Sequence, residues 1–147
     1  MRPANFPLPI LAVLLVAASL AARAAPPALT VTDAWVRAVP GVPAAAYMTL
    51  HNGGTLEVRV VGVRSPLAGM AMIHETTIAG GISSMRVHEP LEIAPGATVR
   101  LSPEGLHIML SELAHPLAVG TQVPLELLLE GGGRVALEAR VRPLSAE

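Results

Sequence analysis

The chain has no cysteine among its 147 residues, and only one tryptophan, one tyrosine and one phenylalanine. Without cysteine there can be no disulfide staple, no thiolate nucleophile and no thiolate metal ligand. All ten basic residues are arginine, set against eleven acidic ones and forming no cluster. With so few aromatic side chains to stack on bases, that balance excludes an ordinary nucleic-acid-binding protein. Long apolar runs are also missing, with one exception. Ile10 to Leu20 reads ILAVLLVAASL, preceded by Arg2 and followed by Ala22-Arg23-Ala24. This is the layout of a secretory signal peptide cleaved after Ala24. The run falls short of the ~20 apolar residues that a comfortable membrane span needs, although an uncleaved anchor is the alternative. The expectation is a removed segment, 1–24, and a single exported, soluble domain, 25–147, with no membrane span. Ten basic residues less Arg2 and Arg23 leave eight against eleven acids, a net charge of −3.

What the chain has in quantity is punctuation: thirteen glycines and fourteen prolines. They separate short β-prone segments, and no stretch of helical period is sustained. Strands are expected at 29–38, 45–52, 56–65, 70–79, 82–88, 98–101, 106–110, 123–129 and 134–141, with one turn of helix between Ser111 and Leu117. Asn52-Gly53-Gly54, Gly80-Gly81 and Gly131-Gly132-Gly133 supply turn chemistry. Eight or nine short strands at this spacing predict an all-β, antiparallel β-sandwich or Greek-key barrel.

The candidate chemistry lies in histidine and methionine. Five methionines remain beyond the signal segment: Met48, Met70, Met72, Met85 and Met109. If Gly80-Gly81 forms a two-residue hairpin turn, Ala79 faces Ile82, His74 faces Val87 and Thr76 faces Met85. Side chains alternate between faces along a strand. His74 and Met85 therefore share a face as diagonal neighbours, roughly 7 Å apart at the backbone. The opposite face pairs Glu75 with Arg86 and carries His88, which reads as a surface histidine. In Leu106–Leu110 the same alternation sends His107 and Met109 outward, and Leu106, Ile108 and Leu110 toward the core. Two strand segments thus each offer one imidazole and one thioether.

Thioether sulfur is soft, neutral and needs no deprotonation. Together with imidazole it suits Cu(I), or Ag(I) as its analogue, and suits zinc, calcium or magnesium poorly. A blue-copper electron-transfer centre would need a cysteine. A non-haem iron triad would need a carboxylate beside the histidines, and Glu75 is on the wrong face. A carrier of reduced copper made without thiols suits an oxidising compartment. The plainer readings are that a lone methionine on a β face fills a core, and that a lone histidine is structural or exposed.

The spacing His74, ten residues, Met85, twenty-one residues, His107, one residue, Met109 resembles the signature of the PCu(A)C family of periplasmic copper chaperones. DAWVRAVPGVPAAAYMTLHN (Asp33–Asn52) resembles that family's opening strands. IHETTIAGGISSMRV and GLHIMLSELAHPL resemble its metal-bearing segments, and the likeness runs from about Leu29 to Val141. The resemblance implies a cupredoxin-like β-sandwich in the periplasm, with a Cu(I) site made by His74, Met85, His107 and Met109. It further implies supply of copper to the dinuclear copper centre of cytochrome oxidase. The partner would be the copper-bearing oxidase subunit or a Sco-type thiol protein. A monomer without enzymatic activity is expected. Two departures stand out. Glu75 occupies the place after the first histidine where some relatives have methionine, and RPLSAE at the C-terminus lacks the His/Met-rich tail of others. Met70 and Met72 share the face of His74; each is an auxiliary ligand or a packing residue, and packing is the favoured expectation. His51 and His115 match no ligand position, and Trp35 and Tyr47 are expected to serve packing. A copper-buffering protein with no dedicated acceptor, a copper enzyme, and a metal-free interaction module are the competing functions.

Overall fold

Alternating valine, leucine and isoleucine, interrupted every few residues by glycine or proline, give ten strands and no helix in the computed structural model, which describes residues 28–145. The expected signal segment and its expected cleavage point lie outside the described residues. In chain order the strands are β1 (Leu29–Arg37), β2 (Ala44–Asn52), β3 (Val58–Arg64), β4 (Ala68–Ala79) and β5 (Ile82–Val87). They continue with β6 (Leu91–Ile93), β7 (Thr98–Leu101), β8 (Leu106–Leu113), β9 (Gln122–Leu129) and β10 (Arg134–Arg142).

The strands form one sheet in the order β5-β4-β8-β2-β1-β10-β9-β3-β6, with β7 pairing beside β8 on the other half of β2. Laid flat, nine strands at about 4.8 Å spacing would span roughly 38 Å. Yet Val36, Ile73, Ile93, Leu101, Ile108 and Leu127, from six different strands, belong to one buried cluster. The sheet therefore curls on itself and encloses a single core. Strands β6 and β9 bury alternate residues, and β8 does so with Ile108 and Leu110, both fully buried.

The expected all-β, sandwich-type architecture holds, with three differences. Pairing is mixed rather than wholly antiparallel, because β1 and β10 run parallel, with Trp35 beside Arg140 and Arg37 beside Arg142. A tenth strand, β6, lies between Pro90 and Pro95; its three residues are too few to give a readable alternation, but Leu91 and Ile93 are buried against the core. The expected helical turn after Leu110 is absent. Ser111 pairs with Met70 and Leu113 with Ala68, so the sheet ladder carries β8 onward past the point where local preference would favour a helix.

Two local devices aim side chains. Gly80 and Gly81 both take positive φ, 59° and 77°, which a two-residue hairpin turn of the mirror-image type requires and L side chains resist. In β1 a bulge between Thr32 and Trp35 holds Asp33 at φ 52° and brings Trp35 opposite Tyr47.

Candidate metal centre

Three adjacent strands, β5, β4 and β8, carry the site. The tight glycine turn fixes β4 against β5 with Ala79 opposite Ile82, His74 opposite Val87 and Thr76 opposite Met85. That is the expected register, so Met85 is the diagonal neighbour of His74. On the other flank of β4, His74 lies directly opposite His107 and Met72 directly opposite Met109. The structure thus gathers all four expected residues, His74, Met85, His107 and Met109, on one outer face. Between them, Ile73 and Ile108 point inward and are 1% and 0% exposed.

The two imidazoles stack with their ring centroids 6.0 Å apart. The two rings are thus near neighbours on the outer face, and each would offer one nitrogen to a metal ion held there. The rings are held differently. Nδ1 of His107 donates to the Gly105 carbonyl at 3.1 Å, which leaves Nε2 with the free lone pair. A second hydrogen bond of this kind is how proteins orient a metal-binding imidazole. His107 points outward as expected but is covered, at 5% exposure. Its ring lies 6.5 Å from that of Tyr47, which in turn is tilted against Trp35 at 4.6 Å. Arg37 sits over Tyr47 and Arg142 over Trp35.

The Nδ1 of His74 is buried without any hydrogen-bond partner. An orphaned polar atom is costly, and a lone pair turned onto a cation relieves it. Burial lowers the pKa of His74 below its ordinary value, and the neighbouring His107 lowers it further against the opposing pull of Glu89. The ring is thereby kept in the neutral form that a metal requires. No set of three or more His, Asp and Glu side chains capable of holding a metal occurs among the described residues, so an ion held at this face must rely on sulfur.

Sulfur is concentrated there. Met48 lies in the core, but Met70, Met72, Met85 and Met109 all belong to the outer face, and none of the four packs against the core cluster. The outer face of a sheet ordinarily carries polar residues. Met85 is 51% exposed and Met70 45%, while Met72 and Met109 are half-buried. Core packing, the favoured expectation for Met70 and Met72, therefore does not account for them.

The reverse face of the hairpin is as expected, with Glu75 accepting from Arg86 at 2.8 Å. His88 is half-buried rather than fully on the surface, its Nδ1 lying 3.2 Å from the same Glu75 oxygen. The Arg86 hydrogen bond, then that of His88, holds the Glu75 carboxyl below its ordinary range. His51 bonds Thr98 and His115 the Pro116 carbonyl; neither reaches the face described. Not legible in the sequence were the Gly105 carbonyl, the tilted ring of Tyr47 beside His107, and the direct opposition of Met72 and Met109. The alternation of Met70, Met72 and His74 was the one available signal.

A family model described as "Putative lipoprotein LpqE-like" matches residues 29–141. A protein of Leifsonia xyli subsp. xyli, described as a putative lipoprotein, is 32% identical over 116 residues, 78% of this chain and 70% of that protein. The solution structure of the Cu(I) form of DR1885 from Deinococcus radiodurans matches with a TM-score of 0.65 at 37% identity, over 80% of this chain and 82% of that one. The apo PCuAC domain from PmoF1 matches with a TM-score of 0.65 at 26% identity, over 79% and 95% of the two chains.

Proposed function

The chain belongs to the LpqE-like family of PCu(A)C-type domains, and from that membership we propose that it is an exported copper chaperone. It carries Cu(I) on His74, Met85, His107 and Met109. The observation that carries this reading is the face itself, with two imidazoles directly opposed and thioethers gathered around them away from the core. The Cu(I)-bound relative at 37% identity supports the choice of metal and oxidation state. The lipoprotein description of the relative from Leifsonia xyli supports export.

The chemistry follows from the donor set. Two imidazoles and two thioethers bring no negative charge, so the cargo keeps its single positive charge and is held by soft donation alone. Such a set favours Cu(I) over Cu(II) and leaves the ion open to stronger ligands. His107, fixed through Gly105 and covered by Tyr47, is the rigid side of the grip. Met85, half-exposed on the outermost strand, is the side that a partner reaches first. An acceptor thiolate or imidazole displaces the neutral donors in turn and draws the ion away. In this reading the acceptor is the copper-bearing subunit of cytochrome oxidase, or a Sco-type thiol protein that loads its dinuclear centre in the periplasm.

Anaerobic titration of residues 25–147 with Cu(I) tests the site. One tightly held ion per chain is expected, with tight binding lost in His107→Ala and in Met109→Leu. Undiminished Cu(I) binding in both variants sinks the assignment. A deletion strain tests delivery: oxidase activity should fall at low copper, whereas sensitivity confined to high copper would point to buffering instead.

A further inference from the structure

We propose that Met72 is an additional copper-contacting side chain, a thioether that exchanges with Met85 at the same ion. The inference rests on the reading of this face as a Cu(I) site and extends it. Three observations carry it. Met72 stands directly opposite Met109, as His74 stands opposite His107, so the four side chains form a rectangle on two neighbouring strands. Directly opposed residues have Cβ atoms about 4.5–5.5 Å apart, whereas diagonal ones are about 7–8 Å apart. Met85 reaches His74 only along such a diagonal, from the level of Thr76 on β5. By position, Met72 is at least as well placed as Met85.

Packing on the core does not account for Met72 either. It is half-buried, yet it is absent from the hydrophobic side chains packed against the core, where its neighbours Ala71 and Ala68 are found. A thioether is flexible and follows a soft ion over several positions. Finally, the two sulfurs flank His74 from opposite directions along β4, Met72 two residues before it and Met85 opposite the residue two after it. Met85 is the more exposed. When an acceptor engages the ion from the Met85 side, that bond can open while Met72 closes, and the ion stays ligated by two imidazoles and two sulfurs throughout. The exchange breaks one Cu–S bond and forms another; no electron or proton moves.

The test compares the wild type, Met72→Leu, Met85→Leu and the double variant, each a swap of nearly conserved volume. Cu(I) affinity is measured by competition with a bathocuproine chelator, and sulfur neighbours are counted by copper X-ray absorption. Either single variant should still hold one Cu(I) and lose about tenfold in affinity. The double variant should lose well over about a hundredfold, with its sulfur count falling below that of Met85→Leu. Thermal melting of the metal-free variants confirms that each is folded. The proposal is overturned if Met85→Leu and the double variant have the same affinity and the same sulfur count. If the wild type takes up no Cu(I), the chaperone reading fails first and the Met72 proposal with it. Tight wild-type binding with a silent Met72→Leu change in every background removes Met72 alone.

Discussion

On the proposed reading, His74 is a ring prepared for a metal at some cost to the metal-free protein. Its Nδ1 is buried without a partner, and its ring stacks on a second imidazole. Desolvation and the neighbouring His107 both disfavour the charged form, so the folded pKa lies below the ordinary value of 6.5. The unfolded chain therefore binds a proton at a pH where the folded chain does not. This contribution to stability is intact above about pH 6.5 and declines as pH falls from there toward the folded pKa. Denaturant midpoints of the metal-free protein should drop between pH 7 and pH 5, and His74→Leu should flatten that drop. A slope unchanged by the substitution would mean that other groups carry it.

The β4–β5 hairpin is the element that decides whether Met85 belongs to the site. Its register follows from Gly80 and Gly81, since a turn with positive φ at both central positions admits glycine far more readily than any branched residue. Gly80→Val with Gly81→Val costs roughly 1–2 kcal/mol at each position and should loosen β5 from β4. Amide exchange on 82–87 should then accelerate, and Cu(I) affinity should fall to the level of Met85→Leu and no further, because His107 and Met109 are held by β8. A loss as deep as that of His107→Ala would show that the hairpin supports more than Met85. The same local turn explains why this register was legible in the sequence. The face opposition of Glu75 with Arg86 and of His74 with Val87 needed no more than the turn and the period of two. The pairing of β4 with β8 was not legible, because no turn joins those strands and nothing local sets their offset. That is why the opposition of His74 to His107 and of Met72 to Met109 emerged only in the fold. Tertiary pairing also overrode local preference at Ser111–Leu113, and it made a strand of Leu91–Ile93 between two prolines.

At the scale of the whole molecule, the proposed copper site would place metal binding and stability on opposite faces of the same strands, and β8 makes the division testable residue by residue. Ile108, fully buried in the single core, stands between His107 and Met109. Truncating it leaves a cavity and should cost about 2–5 kcal/mol. Met109→Leu conserves volume on a face that does not pack against the core, and should cost less than about 1.5 kcal/mol. Cu(I) acts on these variants in the reverse order. An ion held by three strands at once has no equivalent site in the unfolded chain, so it stabilises only the native state, by about 2.7 kcal/mol at a free concentration a hundred times Kd. Melting curves recorded with and without a Cu(I) donor should separate the two roles. Ile108→Ala should melt well below the wild type without metal and recover part of the difference with it. Met109→Leu should melt near the wild type without metal and gain little when it is added. If Cu(I) raised the melting temperature of Met109→Leu as much as that of the wild type, the ion would be bound elsewhere. The outer face of β4, β5 and β8 would then have to be read as a methionine-lined contact surface instead of a metal centre.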